Sequence, residues 1–292
     1  MSEIVREIDS QPACWREATR RAARFADDLL PDGARVAAVG CGTSLYMAQA
    51  FAALREAAGR GVTDAFPASE APAGRRYDAV VAISRSGTTT EVVRFLESLP
   101  EGTPSIAVSA VPGSPVVRAA AETVLLDFAD ERSVVQTRFA TSALALLRAH
   151  LGEDLEPIII QAEGAVSADL PVEPGGFDHF VFLGAGWTVG LANEGALKLR
   201  EAAQAWSESY PAMEYRHGPI SVAGERSLVW ILGSADPAVA AHVAATGARV
   251  LTATLDPMAE LILIQRTAVA LAAARGLDPD NPRHLTRSVV LS

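Results

Sequence analysis

The segment Asp78-Ala79-Val80-Val81-Ala82-Ile83 leads directly into Ser84-Arg85-Ser86-Gly87-Thr88-Thr89-Thr90-Glu91. Its aliphatic, β-branched first half predicts a buried strand, and its second half predicts a hydroxyl-rich turn that opens a helix at 88–98. A buried strand followed at once by a helix is typical of an α/β fold with a parallel sheet. This fold class is therefore the one we expect for the chain.

The same alternation of aliphatic runs and Ala-rich helical stretches continues on both sides of that segment. In the first half we expect strands at 35–39, 61–66, 78–83, 105–109 and 123–128, and helices at 9–30, 44–58, 88–98, 115–121 and 133–151. In the second half we expect strands at 179–183, 227–233 and 249–255, and helices at 188–206 and 258–276. The Pro- and Gly-containing stretch 169–176 predicts a linker. These elements predict an N-terminal helical segment at 1–33 and two α/β domains at 34–168 and 177–292.

The two halves match at their first strand-to-helix turn. Val39-Gly40-Cys41-Gly42-Thr43-Ser44 aligns with Leu183-Gly184-Ala185-Gly186-Trp187-Thr188, glycine on glycine, and at the same offset Ala48 meets Ala192. Self-similarity at a fixed offset is the signature of a duplicated unit. We therefore interpret the chain as a duplicated and diverged α/β domain.

Composition narrows the classes of partner. The 292 residues carry a net charge of −10 and no basic stripe, so no nucleic-acid partner is expected. The charged start Met1–Asp9 lacks a signal-peptide core, and apolar runs such as Val269–Ala274 are too short to span a membrane, so no membrane partner is expected. Neither Cys14 and Cys41 nor the histidines show metal-like spacing, so we expect no metal, no cofactor and a cytoplasmic location.

The turn from Ser84 to Thr90 combines three features that favour an anion. It offers free backbone N–H groups, the positive end of a helix dipole, and five hydroxyls in seven positions. Arg85 adds a positive charge, and the turn Gly40–Ser44 supplies a second helix N-terminus with hydroxyls. Ligands of open parallel sheets gather at the carboxyl ends of strands, where both turns are expected. Although single hydroxyls often only cap helices, this density predicts a phosphate site. We call Gly40–Ser44 and Ser84–Thr90 together the anion cradle.

The glycines of the two turns raise the alternative of a dinucleotide site. In the first turn Leu45 stands where the third glycine of the fingerprint belongs, and the nearest acid, Asp64, falls on a weak strand. The second turn, Gly184-x-Gly186-x-x-x-Gly190, comes closer, but the next strand that we predict begins near Ser227, too far on to supply the acid. The second half also lacks a Ser-x-Ser-Gly turn, so we expect one phosphate per chain.

The second half carries a candidate acid–base set. Glu194, Lys198 and Glu201 are spaced i, i+4 and i+7, so they share one face of a helix. Taken alone they would be an ordinary surface ion pair. The Pro-bounded loop Tyr210–Pro219 then adds His217, and irregular segments often carry functional side chains. A carboxylate base with a histidine suits proton abstraction next to a carbonyl.

Five motifs, taken in order along the chain, resemble the tandem sugar isomerase (SIS) domain family, and especially the isomerase half of glucosamine-6-phosphate synthase and stand-alone phosphosugar isomerases and deaminases. They are Cys41-Gly42-Thr43-Ser44, Ser84-Arg85-Ser86-Gly87, Glu131-Arg132-Ser133-Val134, Glu194-Gly195-Ala196-Leu197-Lys198-Leu199-Arg200-Glu201 and Arg216-His217-Gly218-Pro219. The resemblance implies two flavodoxin-like, three-layer (αβα) SIS domains with parallel sheets. It also implies a phosphorylated sugar as substrate and a homodimer with a shared active site.

The resemblance also implies roles for individual residues. Glu201 would be the base that moves a proton between C1 and C2 through an enediol. His217 would assist ring opening in the neighbouring subunit, while Glu194 and Lys198 would order the site. The positions that would bind the phosphate are Ser44, Ser84, Ser86 and Thr89, and those that would contact the sugar are Thr43, Val134 and Gln136. Arg85 is a further substrate-binding candidate because of its charge in the same turn, not because of the resemblance.

Two departures from the synthase pattern bear on the reaction. No N-terminal cysteine nucleophile precedes the match, so we expect no glutaminase domain and no glutamine-driven amino transfer. Arg287 stands where the synthase has a lysine that can form a Schiff base, and a guanidinium stays protonated. Arg287 could still position a hydroxyl or a phosphate.

These departures favour a phosphosugar isomerase or an aminosugar-phosphate deaminase. Two alternatives stay open. The first is a deglycase of 6-phosphorylated sugar–amino acid adducts. The second is a non-catalytic phosphosugar sensor, although the roughly 33 residues before the first strand leave no room for the DNA-binding domain that such sensors carry.

Overall fold

A computed structural model describes residues 2–22, 30–72 and 74–291. The chain divides into two compact units, each with one sheet. The five-stranded unit comprises residues 13–131, 136–155 and 286–292. The four-stranded unit comprises residues 1–12, 132–135 and 156–285. The α/β class with parallel sheets is confirmed, whereas the boundaries at 34–168 and 177–292 stay a prediction about the duplication.

All strands of the five-stranded unit are parallel, in the order β2-β1-β3-β4-β5. They are β1 (Val36–Gly40), β2 (Thr63–Pro67), β3 (Ala79–Ile83), β4 (Ser105–Ser109) and β5 (Glu122–Leu125). The helices are α2 (Gln11–Ala22, in this unit from Ala13), α3 (Thr43–Ala57), α4 (Thr90–Glu97), α5 (Pro115–Ala119) and α6 (Arg138–His150). This is the flavodoxin-like order, in which the direction of winding changes between β1 and β3.

Two helical layers cover this sheet. Helix α3 packs against α6, and α4 packs against α5. Val92 and Leu96 of α4 join Val39 and Val80 of the sheet in one buried cluster. Strands β1, β3 and β4 are buried along their whole length, as expected for a parallel sheet covered on both faces.

The four-stranded unit repeats the strand order without a fifth strand. Its parallel sheet has the order β7-β6-β8-β9. The strands are β6 (His179–Gly184), β7 (Trp206–Pro211), β8 (Ser227–Ile231) and β9 (Arg249–Thr252), and the helices are α1 (Glu3–Asp9), α7 (Glu156–Ser167), α8 (Thr188–Ala203), α9 (Pro237–Ala244) and α10 (Pro257–Ala274).

Helix α10 packs against α7 and α8 in this unit. Its 18 residues are long and apolar enough to cross a membrane by length and composition, and 67% of them are buried inside the protein. This burial matches the environment of a core helix.

Most predicted elements are present, with shifted ends, but several expectations were wrong. The helix expected at 9–30 corresponds to α2 (Gln11–Ala22), and a separate helix that was not expected, α1 (Glu3–Asp9), precedes it; residues 23–29 lie outside the described part. The helix expected at 133–151 begins only at Arg138, because the Glu131 carboxylate accepts hydrogen bonds from the Thr137 hydroxyl (2.8 Å) and the Arg138 N–H (2.9 Å). The helix expected at 188–206 ends at Ala203, where Gln204 takes a left-handed conformation. Elements α7, β7 and α9 were not predicted.

Gly184 allows the tight turn between β6 and α8. A Cβ atom there would lie 2.4 Å from the carbonyl oxygen of Thr188 and 2.6 Å from the nitrogen of Val189, both of which are backbone atoms that cannot rotate away. We predict that Gly184→Ala lowers the free energy of unfolding by about 1–3 kcal/mol, measured by urea denaturation.

Gly164→Ala in α7 is the matched control, because no atom lies within 4 Å of its added Cβ. There the substitution should stabilise by about 0.5–1 kcal/mol through helix propensity. Equal stability of Gly184→Ala and the unsubstituted protein would contradict the role given to this turn.

Candidate functional site

The anion cradle lies at the carboxyl edge of the five-stranded sheet. Strand β1 ends at Gly40 and its neighbour β3 ends at Ile83, so the turns that follow them meet at the point where the winding direction changes. Ligands of open α/β sheets bind at this point. The backbone therefore brings the two predicted turns together.

Buried hydroxyls line these turns. Thr43, Ser44 and Ser84 are each 3% exposed. The Oγ atom of Ser84 is buried and has no hydrogen-bond partner among the described residues. A buried polar atom without a partner costs free energy, so it marks a place where a ligand can complete the site.

The hydroxyls of the second turn do not cap α4. Thr89 occupies the N-cap position, yet its side chain makes no capping hydrogen bond. Gly87 has a φ of +64°, and a Cβ atom there would lie 1.9 Å from the Ser114 Oγ atom. The hydroxyl of Thr89, the residue at the N-cap position, therefore does not cap α4.

The C-terminal tail, Thr286–Leu291, lies along this turn within the same unit. The hydroxyls of Ser86, Thr88 and Ser288 lie 2.9–3.1 Å from one another. The backbone N–H of Thr90 donates to the carbonyl of Val289 (3.2 Å). Sequence reasoning missed these contacts, since they join residues about 200 positions apart.

The Arg85 side chain is buried and contacts other groups of the protein. Its Nη2 donates to the carbonyl of Arg287 (2.9 Å), and its Nη1 lies 3.8 Å from the buried Glu131 carboxylate. Its charge is thus balanced inside the protein. A direct contact between Arg85 and a substrate stays a prediction.

The Arg287 guanidinium also makes protein contacts. It donates to the Asp130 carboxylate and to the carbonyl of Glu131. These hydrogen bonds anchor the C-terminal tail through Arg287. A contact between Arg287 and a substrate stays a prediction.

The two remaining substrate candidates lie in irregular backbone before α6, in different compact units. Val134, in the four-stranded unit, donates its N–H to the carbonyl of Asp280 (3.3 Å). Gln136, in the five-stranded unit, has a buried side-chain oxygen with no hydrogen-bond partner among the described residues. Their contacts with a sugar stay predictions.

Helix α8 of the four-stranded unit brings the acid–base set together. The Lys198 Nζ atom lies 2.5 Å from Glu201 Oε2 and 3.3 Å from Glu194 Oε1. The side chains of Lys198 and Glu194 are 1% exposed, whereas that of Glu201 is 20% exposed. Burial alone would lower the pKa of Lys198, but the two carboxylates outweigh burial and raise it. Of the three, Glu201 is therefore the side chain most accessible to solvent.

Lys198 is the only lysine in the chain, although lysine and arginine together number 25. Every other strongly basic position holds arginine. The presence of a single lysine at this position distinguishes Glu194, Lys198 and Glu201 from an ordinary surface ion pair. Residue spacing alone does not reveal this feature.

The loop that carries His217 is fixed by its neighbours. The His217 N–H donates to the carbonyl of Glu214 (2.9 Å), and Gly218 has a φ of +133°. The buried ring of Tyr215 anchors the loop in the core, and burial with nearby Glu208 raises the pKa of its hydroxyl to about 12. The His217 side chain itself remains exposed.

Strand β7 shows that one reason given against a dinucleotide site in the second half was wrong. The sequence predicted no strand close enough to the second glycine turn to supply an acid. Strand β7 follows α8 directly and contains Glu208, so an acid does lie on a strand about 20 residues after the second glycine turn. This carboxylate, however, is within 3.3 Å of His179 Nε2 and accepts from the Tyr210 hydroxyl (3.1 Å). It sits mid-strand with protein partners, and Asp64 likewise bonds Tyr77 (2.8 Å).

The turn after β8 carries the negative charge of Asp236, whereas the anion cradle carries hydroxyls and the positive charge of Arg85. The Asp236 carboxylate accepts from the Ala238 N–H (2.9 Å) at the start of α9. A carboxylate already occupies this helix N-terminus and would repel an anion. One phosphate per chain stays a prediction.

Removing the Ser84 hydroxyl tests the cradle. Because this Oγ has no hydrogen-bond partner in the described part of the chain, Ser84→Ala should leave thermal stability unchanged but weaken binding of a 6-phosphosugar about tenfold, measured by calorimetry. Ser142→Ala is the matched control, since its Oγ is also buried and has no hydrogen-bond partner among residues 2–22, 30–72 and 74–291, but lies inside α6. Equal affinities of the two variants would remove Ser84 from the site.

Removing the Lys198 ammonium tests the ion pairs. Lys198→Met leaves buried carboxylate charge unpaired, so we expect a loss of about 3–5 kcal/mol in unfolding free energy. A second substitution, Glu194→Gln, should restore part of the loss. In the unsubstituted protein this contribution is present below the ordinary lysine pKa of 10.5 and is lost as pH rises through the raised pKa. An unchanged stability of Lys198→Met would contradict the paired, buried state.

Comparison with known proteins places these features in context. Residues 29–151 match the SIS domain family. Glutamine–fructose-6-phosphate aminotransferase (isomerizing) of Bradyrhizobium diazoefficiens is 29% identical in an alignment that covers 88% of this chain and 52% of that protein. The chain thus spans about half the length of the curated relatives it matches.

Solved structures match along the whole chain. Glucosamine-6-phosphate deaminase from Thermotoga maritima is 26% identical with a TM-score of 0.79, covering 99% of this chain and 100% of that one. Tagatose-6-phosphate ketose/aldose isomerase from Escherichia coli, at 18% identity, shares the fold with a TM-score of 0.80, covering 100% and 96%. Residues 29–151 are thus similar to the SIS domain family, and the described structure has the three-layer α/β fold of these solved proteins.

Proposed function

We propose that this protein is an enzyme that acts on a 6-phosphorylated sugar or amino sugar, as an aldose–ketose isomerase or a deaminase. The observation that carries the proposal is the Glu194–Lys198–Glu201 set, in which a buried ammonium holds two carboxylates and only Glu201 is open to solvent. The unpartnered Ser84 hydroxyl supports a phosphate in the anion cradle.

The reaction that fits these groups is a proton transfer. With the phosphate held, His217 assists opening of the sugar ring, and the Glu201 carboxylate takes the proton from C2 of the open-chain aldose. Delivery of that proton to C1 through an enediol gives the ketose. With an amino group on C2 the same transfer gives an imine. Water adds to the imine, the C–N bond breaks, and ammonia leaves as the ketose forms.

A Schiff base between a lysine and the sugar does not fit this chain. Its one lysine, Lys198, is buried, ion-paired to two carboxylates and has a raised pKa, so its amine is protonated and cannot attack a carbonyl. Arg287 stays protonated and anchors the tail. We therefore propose isomerisation by proton transfer alone.

The proposal includes a tandem pair of SIS domains and a homodimer. The matching orders β2-β1-β3-β4 and β7-β6-β8-β9 support the duplication. As in the resemblance, His217 would serve the active site of the neighbouring subunit. Sedimentation of the protein with and without a 6-phosphosugar measures the assembly.

Ammonia release and ketose formation from glucosamine 6-phosphate, without glutamine, test the function directly. Ammonia and fructose 6-phosphate in equal amounts support a deaminase, and interconversion of glucose and fructose 6-phosphates supports an isomerase. A protein that turns over no 6-phosphosugar, although one raises its thermal stability, contradicts the catalytic proposal and favours a sensor.

Glu201→Gln should lower kcat at least about a hundredfold while leaving phosphosugar affinity nearly unchanged, because the amide cannot accept the C2 proton. Glu225→Gln, an exposed carboxylate of the same unit, is the control and should keep full activity. Full activity of Glu201→Gln would remove it as the base.

A further inference from the structure

His217 lies in a long irregular segment of the four-stranded unit. Residues 212–226 connect the edge strand β7 to β8. The His217 side chain is exposed and lines an open cavity of about 440 Å³ together with Arg216, Ile220 and His242. Because this side chain is not packed in the core, its position depends on how the segment is fixed at its two ends.

The imidazole of His179 joins the two strands that flank this segment. Its Nε2 atom lies 3.3 Å from the Glu208 carboxylate on β7, and its Nδ1 atom lies 3.0 Å from the hydroxyl of Ser227, the first residue of β8. A carboxylate only accepts hydrogen bonds, so Nε2 donates to Glu208 and, in the neutral ring, Nδ1 accepts from Ser227. We call His179, Glu208 and Ser227 the loop clamp, because they span the base of the segment 212–226.

Further contacts connect the loop clamp to both ends of the segment. At its start, the Tyr210 hydroxyl donates to the same oxygen of Glu208 (3.1 Å), and the Tyr210 ring lies 5.6 Å from the buried ring of Tyr215, centroid to centroid. Burial and the Glu208 carboxylate raise the pKa of the Tyr210 hydroxyl, so it remains a donor. At its end, the backbone N–H of Gly224 donates to the Ser227 hydroxyl (3.1 Å).

The loop clamp stands on a face of the sheet that is otherwise apolar. Because side chains alternate along a strand, His179 shares its face of β6 with Val181 and Leu183, and Ser227 shares its face of β8 with Val229. The three aliphatic residues belong to one buried cluster. Polar side chains in such a place cost desolvation free energy that aliphatic ones do not. What His179 and Ser227 provide in return is a set of hydrogen bonds across the base of the segment.

We propose that His179 and Glu208 are positioning residues, which hold the segment 212–226 so that His217 meets the ring of the sugar. This inference rests on the proposed function, because ring opening is the step given there to His217. Neither residue of the pair is assigned a contact with the substrate.

Ring opening is a proton-transfer step that depends on exact placement. The bond between C1 and the ring oxygen breaks, the ring oxygen takes a proton, and the hydroxyl on C1 loses its proton as the carbonyl forms. A displacement of about 1 Å in a group that moves such a proton can slow the step strongly. Loss of the loop clamp should therefore slow ring opening, whereas the later proton transfer at Glu201, which lies on α8, should be spared.

The test compares a sugar that must open with one that is already open. The first is glucosamine 6-phosphate, or glucose 6-phosphate for an isomerase. The second is the 4,5-dideoxy analogue of the same sugar, which lacks both hydroxyls that close the ring. The missing hydroxyls change the affinity of every variant alike, so each variant is described by the ratio of its two kcat/KM values.

His179→Phe and Glu208→Ala should each lower kcat/KM for the ring-closed sugar about tenfold and leave that for the open analogue unchanged. The loss should lie in kcat, because the phosphate still binds in the anion cradle. His217→Gln should show the same dependence on the substrate. Glu208→Gln keeps an oxygen that can accept both hydrogen bonds, so it should retain the activity of the unsubstituted protein.

Asp64→Ala is the matched control. Asp64 lies on β2, the corresponding edge strand of the five-stranded unit, and its carboxylate likewise accepts from a tyrosine hydroxyl, that of Tyr77 (2.8 Å). This variant should keep the ratio of the two kcat/KM values. Hydrogen exchange of the backbone amides 212–226 should be faster in His179→Phe and Glu208→Ala than in Asp64→Ala, which measures the loop clamp without any substrate.

The outcomes separate this proposal from the proposed function. Equal hydrogen exchange in all variants overturns the loop clamp, and losses of equal size on the two sugars overturn the positioning role; both keep the proposed function. A His217→Gln variant that loses nothing on the ring-closed sugar also overturns the positioning role. Absence of turnover of glucosamine, glucose and fructose 6-phosphates by the unsubstituted protein contradicts the proposed function, and the positioning role with it.

Discussion

The ammonium of Lys198, enclosed between Glu194 and Glu201, is the interaction on which the proposed chemistry depends. Three charges in a nearly dry environment are tolerated only when each has a partner, because a single buried charge costs several kcal/mol. The pair of carboxylates keeps Lys198 charged, and Lys198 in turn allows Glu194 and Glu201 to stay close together. One helix turn on either side of Lys198 sets this geometry, and the packing of α8 on α10 and β6 holds the helix itself in place.

A second constraint is the shared strand order of the two sheets. In both, the chain reverses its winding beside the first strand, so each unit presents a strand-to-helix turn at its carboxyl edge. The five-stranded unit fills this edge with hydroxyls, including the unpartnered Ser84. The four-stranded unit places the Asp236 carboxylate there instead, and its proposed catalytic residues lie on α8 and on the His217 loop. The two units share one strand order, and the proposed function assigns them different tasks, anion binding and proton transfer.

The sequence was sufficient for features that depend on local pattern. The aliphatic runs predicted β1 and β3, and helical spacing predicted that Glu194, Lys198 and Glu201 meet. The sequence pattern did not predict strand β7, because this edge strand, Trp206-Ser-Glu-Ser-Tyr-Pro, contains polar residues and no aliphatic run. The contacts of Arg85 and Ser288 were equally inaccessible, since spacing along the chain carries no information on partners 200 residues away. The sequence likewise could not predict that Arg216 and His242 line one cavity with His217, because they lie on separate elements of the fold.

The central claim is that the only lysine, Lys198, is the charged partner of the proposed base Glu201, and nitrogen NMR tests this claim most directly. Protein labelled with ¹⁵N at the lysine side chain should give one Nζ resonance, because Lys198 is the single lysine. That resonance should remain that of an ammonium up to at least the ordinary lysine pKa of 10.5, with glucosamine 6-phosphate present or absent. A neutral amine at lower pH, or an imine signal when the sugar is added, would contradict it.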